Sequence, residues 1–388
     1  MILEQGLVDR QSVWADCRFF IFGNGSFCSE LRVYAVWGRL KAELQTSKPP
    51  PLIFVCFACF AVNQFPVLND YQLVRLNNGI CSVRSLADDE TFHPVIGPVA
   101  EAEALYVNQL RLRERLRNHS GEFVIWDVGL GAAANALVVL RATRGIACNI
   151  RLVSFDHTIE PLEFALRHAT ELGYFGGYEN HLKEFIRAHR VAFQDGSQSV
   201  DWEFHFGDFP TLLARLAIAG RSLSPRGTSG ERAGVRGSSE QFASSPQPSP
   251  PLAEEREIIS PPHAILFDAY SPARNPAMWT LPLFANLFQL LDPQRPCALP
   301  TYSRSTILRV TLLLAGFFVG VGHATGLKEE TTIAANTLDL IAEPLNFRWL
   351  ERASRSHSAE PLREPVYSRA PLSPPTLEKL RRHPQFQL

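Results

Sequence analysis

From residue 122 onward, short apolar runs alternate with longer stretches whose apolar residues recur at helical spacing. FVIWDV leads into AANALVVLRA, IRLVSFD into PLEFALRHATEL, and WEFHFGD into TLLARLAIA. HAILFDAY then precedes WTLPLFANLFQLL, and CALPTYS precedes STILRVTLLLAG. Two further strand-like runs, FFVGVGHA and TTIAANTLDLI, close the series. Nearly continuous apolar strands alternating with amphipathic helices predict an α/β fold: a mostly parallel sheet covered by helices on both faces. The closing pair predicts a final antiparallel strand, seven strands in all.

Upstream, YQLVRLNNGICSVRS reads as a hairpin turning at Asn77-Asn78-Gly79. Val99 to Arg117 keeps helical spacing and carries Arg111, Arg113, Arg115 and Arg117, either a solvated face or a phosphate contact. Residues 1–68 are rich in aromatics and cysteine without a clear period, and read as an N-terminal extension. Residues 69–350 form the main domain. Within it, 221–260 is Ser, Pro, Gly and charge, which cannot bury enough apolar surface to offset ordering entropy, and reads as a disordered insertion. Residues 351–388 read as a polar, proline-rich C-terminal tail.

The chain has 388 residues, 46% of them hydrophobic, so a large core is within reach. Its net charge of −1 supplies no global field for nucleic acid, which leaves a local basic face or recognition of a single-stranded loop. Seven scattered cysteines do not make a disulfide framework and point to a reducing, cytoplasmic setting. Cys56 and Cys59 lack the second pair a zinc site needs, so no metal is expected. PLIFVCFACFAV is too short to cross a bilayer.

The chemistry concentrates in the turn after the first strand. Gly129-Leu130-Gly131-Ala132-Ala133-Ala134 fits the dinucleotide pattern, and Asp127-Val128-Gly129-Leu130-Gly131 fits that of S-adenosylmethionine (SAM) methyltransferases. Gly129 and Gly131 serve either ligand, because both need a sharp turn and a close approach to a helix N-terminus. Asp127 discriminates. A carboxylate here repels a pyrophosphate but favours the ammonium and sulfonium of SAM. Asp156 ends the second strand, where an acid binds ribose hydroxyls, and Asp208 follows the third, where it faces adenine. Each acid alone could be a helix cap. Three acids at three successive strand ends predict SAM as cofactor.

The fourth strand ends in ILFDAYSPARNPAMWT, facing the reactive end of such a cofactor. An ammonium has no lone pair until it is deprotonated, and Asp268 is placed to bind an amine and take up its proton. Tyr270 offers an aromatic wall or a hydrogen bond, and Pro272 and Pro276 stiffen the loop.

These stretches, DVGLGAAANAL, FDAYSPARNPAMWTLPLF and TYSRSTILRVTLLLAGFFVGVGHATGLKEETTIAA, resemble the methyltransferase part of the MnmC-type tRNA enzymes. GPVAEAEALYV resembles the same family's Glu-x-x-Tyr-Val segment, with Glu103 and Tyr106 in the matching places. The resemblance implies a class I, Rossmann-like SAM-dependent methyltransferase. It implies methylation of the aminomethyl group on a tRNA wobble uridine, with the tRNA anticodon loop as partner. By position it implies Asp268 as the group that binds or deprotonates the amine, and Glu103 beside cofactor or amine. The chain reads as a stand-alone form without the flavin oxidase domain of the bifunctional members, supplied with its aminomethyl precursor by another enzyme. Arg274, Arg304, Arg309 and Lys328 would supply the phosphate contacts. Pro300 falls in the expected fifth strand, where it removes a ladder donor. Two other functions fit the same fold: N- or O-methylation of a small molecule, and a non-catalytic interaction protein.

Overall fold

The structure, a computed structural model, describes residues 15–23, 26–36, 39–45, 70–223, 259–326 and 329–387. Most of the expected insertion, the Cys56/Cys59 pair and Lys328 lie outside the described residues. The chain divides into two units, Met1–Asn69 and Asp70–Leu388. In the first, β1 (Ala15–Gly23), β2 (Ser26–Val36) and β3 (Arg39–Gln45) form an antiparallel sheet in that order.

The second unit opens with the expected hairpin, β4 (Tyr71–Arg75) and β5 (Cys81–Ser85), to which β6 (Glu90–Thr91) adds a short third strand. Its turn is closed by Leu76 N–H donating to the Ile80 carbonyl at 2.8 Å, with Gly79 at φ +83°.

The main sheet has eight strands. β7 (Glu122–Val128), β8 (Cys148–Asp156), β10 (Gln198–Phe206), β11 (Ala264–Phe267) and β12 (Ala298–Thr301) are the parallel centre. β9 (Arg190–Asp195), β13 (Phe318–Gly322) and β14 (Thr331–Ala335) complete it, in the order β13-β14-β12-β11-β7-β8-β10-β9. β14 runs antiparallel to both its neighbours, as expected for the final strand. The order reverses between β7 and β11, which opens the crevice where open α/β sheets bind ligands.

The expected count of seven strands is corrected by β9. It pairs antiparallel with β10 through a two-residue turn, with Asp195 opposite Gln198 and Gly196 at φ +63°. Gly196-Ser197 is the hairpin signal, and RVAFQD before it, where Val191 and Phe193 alternate with polar or small residues, is the extra strand. Pro300 does lie in β12. The β11–β12 ladder carries only the pair Ala264–Ala298, consistent with a strand whose next positions include a residue without an N–H.

Val99 to Arg117 is not one helix. Pro98–Ala102 is α-helical, Glu103–Asn108 is a π-turn, and Leu112–Arg117 resumes after Arg111 at φ +51°. Two of its four arginines are structural, while Arg111 and Arg117 are exposed. Arg113 Nε donates to the Ala142 carbonyl at 3.1 Å, and Arg115 Nη2 donates to the carbonyls of His263 (2.8 Å) and Pro296 (3.0 Å).

One apolar layer on the sheet is centred on Phe123, Ile125, Leu137, Leu152 and Trp202, and the other on Trp126, Phe155, Ile265, Phe267 and Leu312. The alternation of β7 residues between them is the period of two expected of a buried strand. The stretch expected to be a tail packs onto this unit. Helix Phe347–Ser354 runs into it from the main domain, and it forms helix Pro374–Arg381 and buries Leu362 and Leu380. The Gln385 side chain accepts from Val319 N–H and donates to the Val319 and Leu345 carbonyls, each at 2.7 Å, sealing edge strand β13. Among the described residues, no helix is long and apolar enough to cross a membrane.

Candidate active site

Gly129 and Gly131 shape the turn between β7 and helix Ala134–Thr143. Gly129 has φ +92°, and a Cβ there would lie 2.8 Å from the Asp268 carbonyl oxygen. Gly131 has φ +49°, and a Cβ there would meet the Phe92 ring at 3.3 Å. Both positions therefore require the absence of a side chain. Gly129 N–H donates to the Phe155 carbonyl at 3.0 Å, and Gly131 N–H donates to Asp156 Oδ2 at 3.0 Å. The first two parallel strands are thus joined at their C-terminal ends.

This turn opens into a cavity of about 540 Å³, also lined by His93, Glu101, Asn135, Asp156, Asp208, Asp268, Tyr270 and Tyr302. The volume falls within the range of small-molecule and cofactor sites. Asp156 and Asp208 stand where the sequence pattern puts them. Asp156 Oδ1 accepts from His157 N–H at 2.7 Å, and Asp208 Oδ2 accepts from Thr211 N–H at 3.0 Å, capping helix Phe209–Leu223. A carboxylate oxygen can accept more than one hydrogen bond, so both retain capacity for a ligand hydroxyl or amine. Glycine turn, helix N-terminus and two strand-end acids fit SAM: a methionine carboxylate at the helix end, ribose at Asp156 and adenine near Asp208.

Asp127 is the exception. It does not line the cavity. It belongs to the buried face of β7, is 1% exposed, and accepts from Ser154 Oγ at 2.8 Å. Ser154 in turn accepts from Trp202 Nε1 at 2.9 Å. Burial pushes the Asp127 carboxyl up to about 8, against the pull of the Ser154 hydrogen bond. It packs beneath the turn, outside the cavity lining.

Asp268 directly follows β11 and is fixed from several directions. Its side-chain Oδ2 accepts from Asn135 Nδ2 at 2.7 Å, and its backbone N–H donates to Val128 at 3.0 Å. The carbonyls on either side of it are each held by a buried tyrosine. Tyr106 Oη donates to Phe267 at 3.1 Å, and Tyr302 Oη donates to Ala269 at 3.0 Å. Burial raises both phenols well above their ordinary value, so they remain neutral donors. Tyr270 lines the cavity beside Phe92, at a ring separation of 5.7 Å, and its carbonyl accepts from Trp279 Nε1 at 2.7 Å.

Glu103 is displaced from the expected place. It pairs with Arg113 at 2.7 Å on the half-exposed side of the π-turn and does not line the cavity. Glu101, two residues earlier, does. Two residues are about 200° apart around a helix, so only one of the pair can face inward. Glu101 lies 3.6 Å from His93, which lies 3.6 Å from Asp268. Neither His93 nor Glu101 was anticipated. The helical phase of the apolar residues around Glu101 was the available signal, whereas nothing local marks His93.

The expected phosphate contacts fare unevenly. Arg309 is 3% exposed, donates to Thr332 and to the Thr331 carbonyl, and pairs with Glu330, so it supports β14. Arg274 pairs with Asp89 at 2.9 Å. Arg304 is exposed.

Comparison with known proteins bears on this cavity. A family model described as S-adenosyl-L-methionine-dependent methyltransferase matches residues 257–337, which include β11, Asp268 and β12. The tRNA 5-methylaminomethyl-2-thiouridine biosynthesis bifunctional protein MnmC of Aeromonas hydrophila subsp. hydrophila is 26% identical over 245 residues, 60% of this chain and 30% of that protein. The MnmC of Methylibium petroleiphilum is 24% identical over 286 residues, 70% of this chain and 35% of that protein. The chain thus spans about a third of the length of these relatives. The crystal structure of MnmC2 from Aquifex aeolicus aligns with a TM-score of 0.52 at 18% identity, covering 80% of this chain and 82% of that one, a likeness of fold.

Proposed function

We propose that this chain, a SAM-dependent methyltransferase related to the MnmC proteins, methylates the primary amine of an aminomethyl uridine in the anticodon loop of tRNA. The observation that carries the reaction class is Asp268. It is a carboxylate locked directly after β11, facing the cavity beside the glycine turn. Relatedness to MnmC over the methyltransferase region supports the uridine amine as acceptor.

Bound SAM supplies a sulfonium-linked methyl group that an uncharged amine can accept. Asp268 receives the amine as a cation, orients it and takes up its proton. Asn135 holds the carboxylate in one rotamer, and Tyr106 and Tyr302 hold the backbone on either side of it. Such preorganisation lets the lone pair meet the methyl group without reorientation. Tyr270 and Phe92 wall the acceptor side with apolar surface.

A second reading is methylation of a small cationic amine. Asp88, Asp89, Glu90, Glu101, Asp156, Asp208 and Asp268 line the cavity, against Arg84, His93 and His157. Such a lining attracts a small cation and repels a phosphodiester. The two readings separate in one experiment, release of S-adenosylhomocysteine with tRNA bearing aminomethyl uridine beside a panel of small amines. Turnover restricted to the tRNA supports the first reading, and turnover restricted to the panel replaces it with the second.

A further inference from the structure

We propose that His93, oriented by Glu101, is the base that finally receives the proton leaving the acceptor amine through Asp268. The proposal rests on the amine-methylation reading above and assigns two residues to it. Two neighbouring stretches and one distant in sequence meet here: the loop after β6 brings His93, helix Pro98–Ala102 brings Glu101, and the residue following β11 is Asp268.

The imidazole lies between the carboxylates. Nδ1 is 3.6 Å from Glu101 Oε1, and Nε2 is 3.6 Å from Asp268 Oδ2. The His93 side chain is 8% exposed and that of Glu101 5%. His93 has φ +48°, a left-handed conformation uncommon outside glycine. Its Nδ1 makes no hydrogen bond within the structure. All three groups line the cavity.

Chemistry gives this arrangement a purpose. A carboxylate of ordinary pKa, about 4, is a weak base towards an ammonium of about 10, while imidazole at about 6.5 is several powers of ten closer. With its Nδ1–H turned to Glu101, His93 presents the Nε2 lone pair to Asp268. The ammonium gives one proton to the Asp268 carboxylate, which passes it to Nε2. The products are a neutral amine, a carboxylate and an imidazolium, with charge conserved. Glu101 remains a carboxylate and stabilises the imidazolium, the role an acid plays behind a catalytic histidine.

The surroundings agree. Burial alone would lower the His93 pKa, but the facing carboxylates of Asp268 and Glu101 outweigh it and raise it above the ordinary value. Tyr106 and Tyr302 also face this cluster and stay neutral, and Asp127 beneath it is pushed up to about 8. The three groups could each offer a ligand atom to one cation, all within 4.8 Å of one another. However, the two ring nitrogens face different carboxylates, which suits a proton path better than a shared ion.

The test titrates His93 by NMR in the SAM-loaded protein without acceptor, for wild type and Glu101→Gln. It then records the pH dependence of kcat for these and for His93→Gln with whichever amine turns over. Removing the Glu101 charge should move the His93 titration and the acid limb of the rate profile together to lower pH. His93→Gln should lose that limb and at least tenfold in kcat, with SAM affinity within twofold of wild type. A His93 titration and acid limb that stay in place in Glu101→Gln overturn the proposal. So does chelator-sensitive activity restored by a divalent ion. If the titration moves while tRNA accepts no methyl group, the tRNA reading fails instead.

Discussion

At the scale of single residues, the account turns on which carboxylates face the cavity. Asp268 does, so Asp268→Asn should keep SAM affinity and lose transfer by a factor of about 100 or more, in the range for removing a positioned acid–base group. Calorimetric SAM binding beside a methyl-transfer assay checks both halves. Glu101 faces inward and Glu103 outward, so Glu101→Gln should depress turnover far more than Glu103→Gln, measured side by side at one pH. Asp127 gives a prediction about stability. A carboxyl held at about 8 in the fold, against an ordinary value of 3.8, keeps its proton when folded. Its contribution is fully present below the unfolded value and is lost as pH rises towards 8. Asp127→Asn should therefore raise the melting temperature more at pH 8 than at pH 5. An equal shift at both would contradict the buried, protonated state.

At the scale of elements, the alternation of apolar strands and amphipathic helices was legible because each parallel strand is buried on both faces. It carried the mostly parallel sheet with its final antiparallel strand, and put Asp156, Asp208, Asp268 and both glycines at the cavity. What it missed has physical reasons. β9 precedes a Gly196-Ser197 turn, but its residues Arg190, Ala192 and Gln194 are polar or small and exposed, so it lacks the apolar run of a central strand. The expectation for Glu103 came from the family resemblance alone, and the π-turn at Glu103–Asn108 changes the helical phase without any proline or glycine to announce it, so spacing did not show that Glu101 is the one facing inward. The C-terminal segment reads as polar because its hold on the domain is concentrated in a few residues. Gln385 is one of them. Gln385→Ala leaves the Val319 N–H at the edge of β13 unpaired and should cost about 1–3 kcal/mol, read as a lower denaturation midpoint with unchanged SAM affinity.

At the scale of the molecule, the acid-rich cavity sets a tension between the two acceptors. A small amine gains from every carboxylate at the mouth, whereas an RNA must bring its base past them with its phosphates kept outside. Asp88→Asn should therefore lower KM for tRNA and raise KM for a small diamine, each by about two- to fivefold, the effect of one partly exposed charge. Shifts of equal sign for both acceptors would contradict this.

The most direct measurement uses isotopically labelled SAM and tRNA from cells that cannot complete the wobble modification, with Asp268→Asn as control. Nucleosides from the digested tRNA are then weighed by mass spectrometry. The account predicts one labelled methyl group on an aminomethyl uridine with the wild-type protein and none with the variant. Label that appears only in small amines, or equally with the variant, would contradict it.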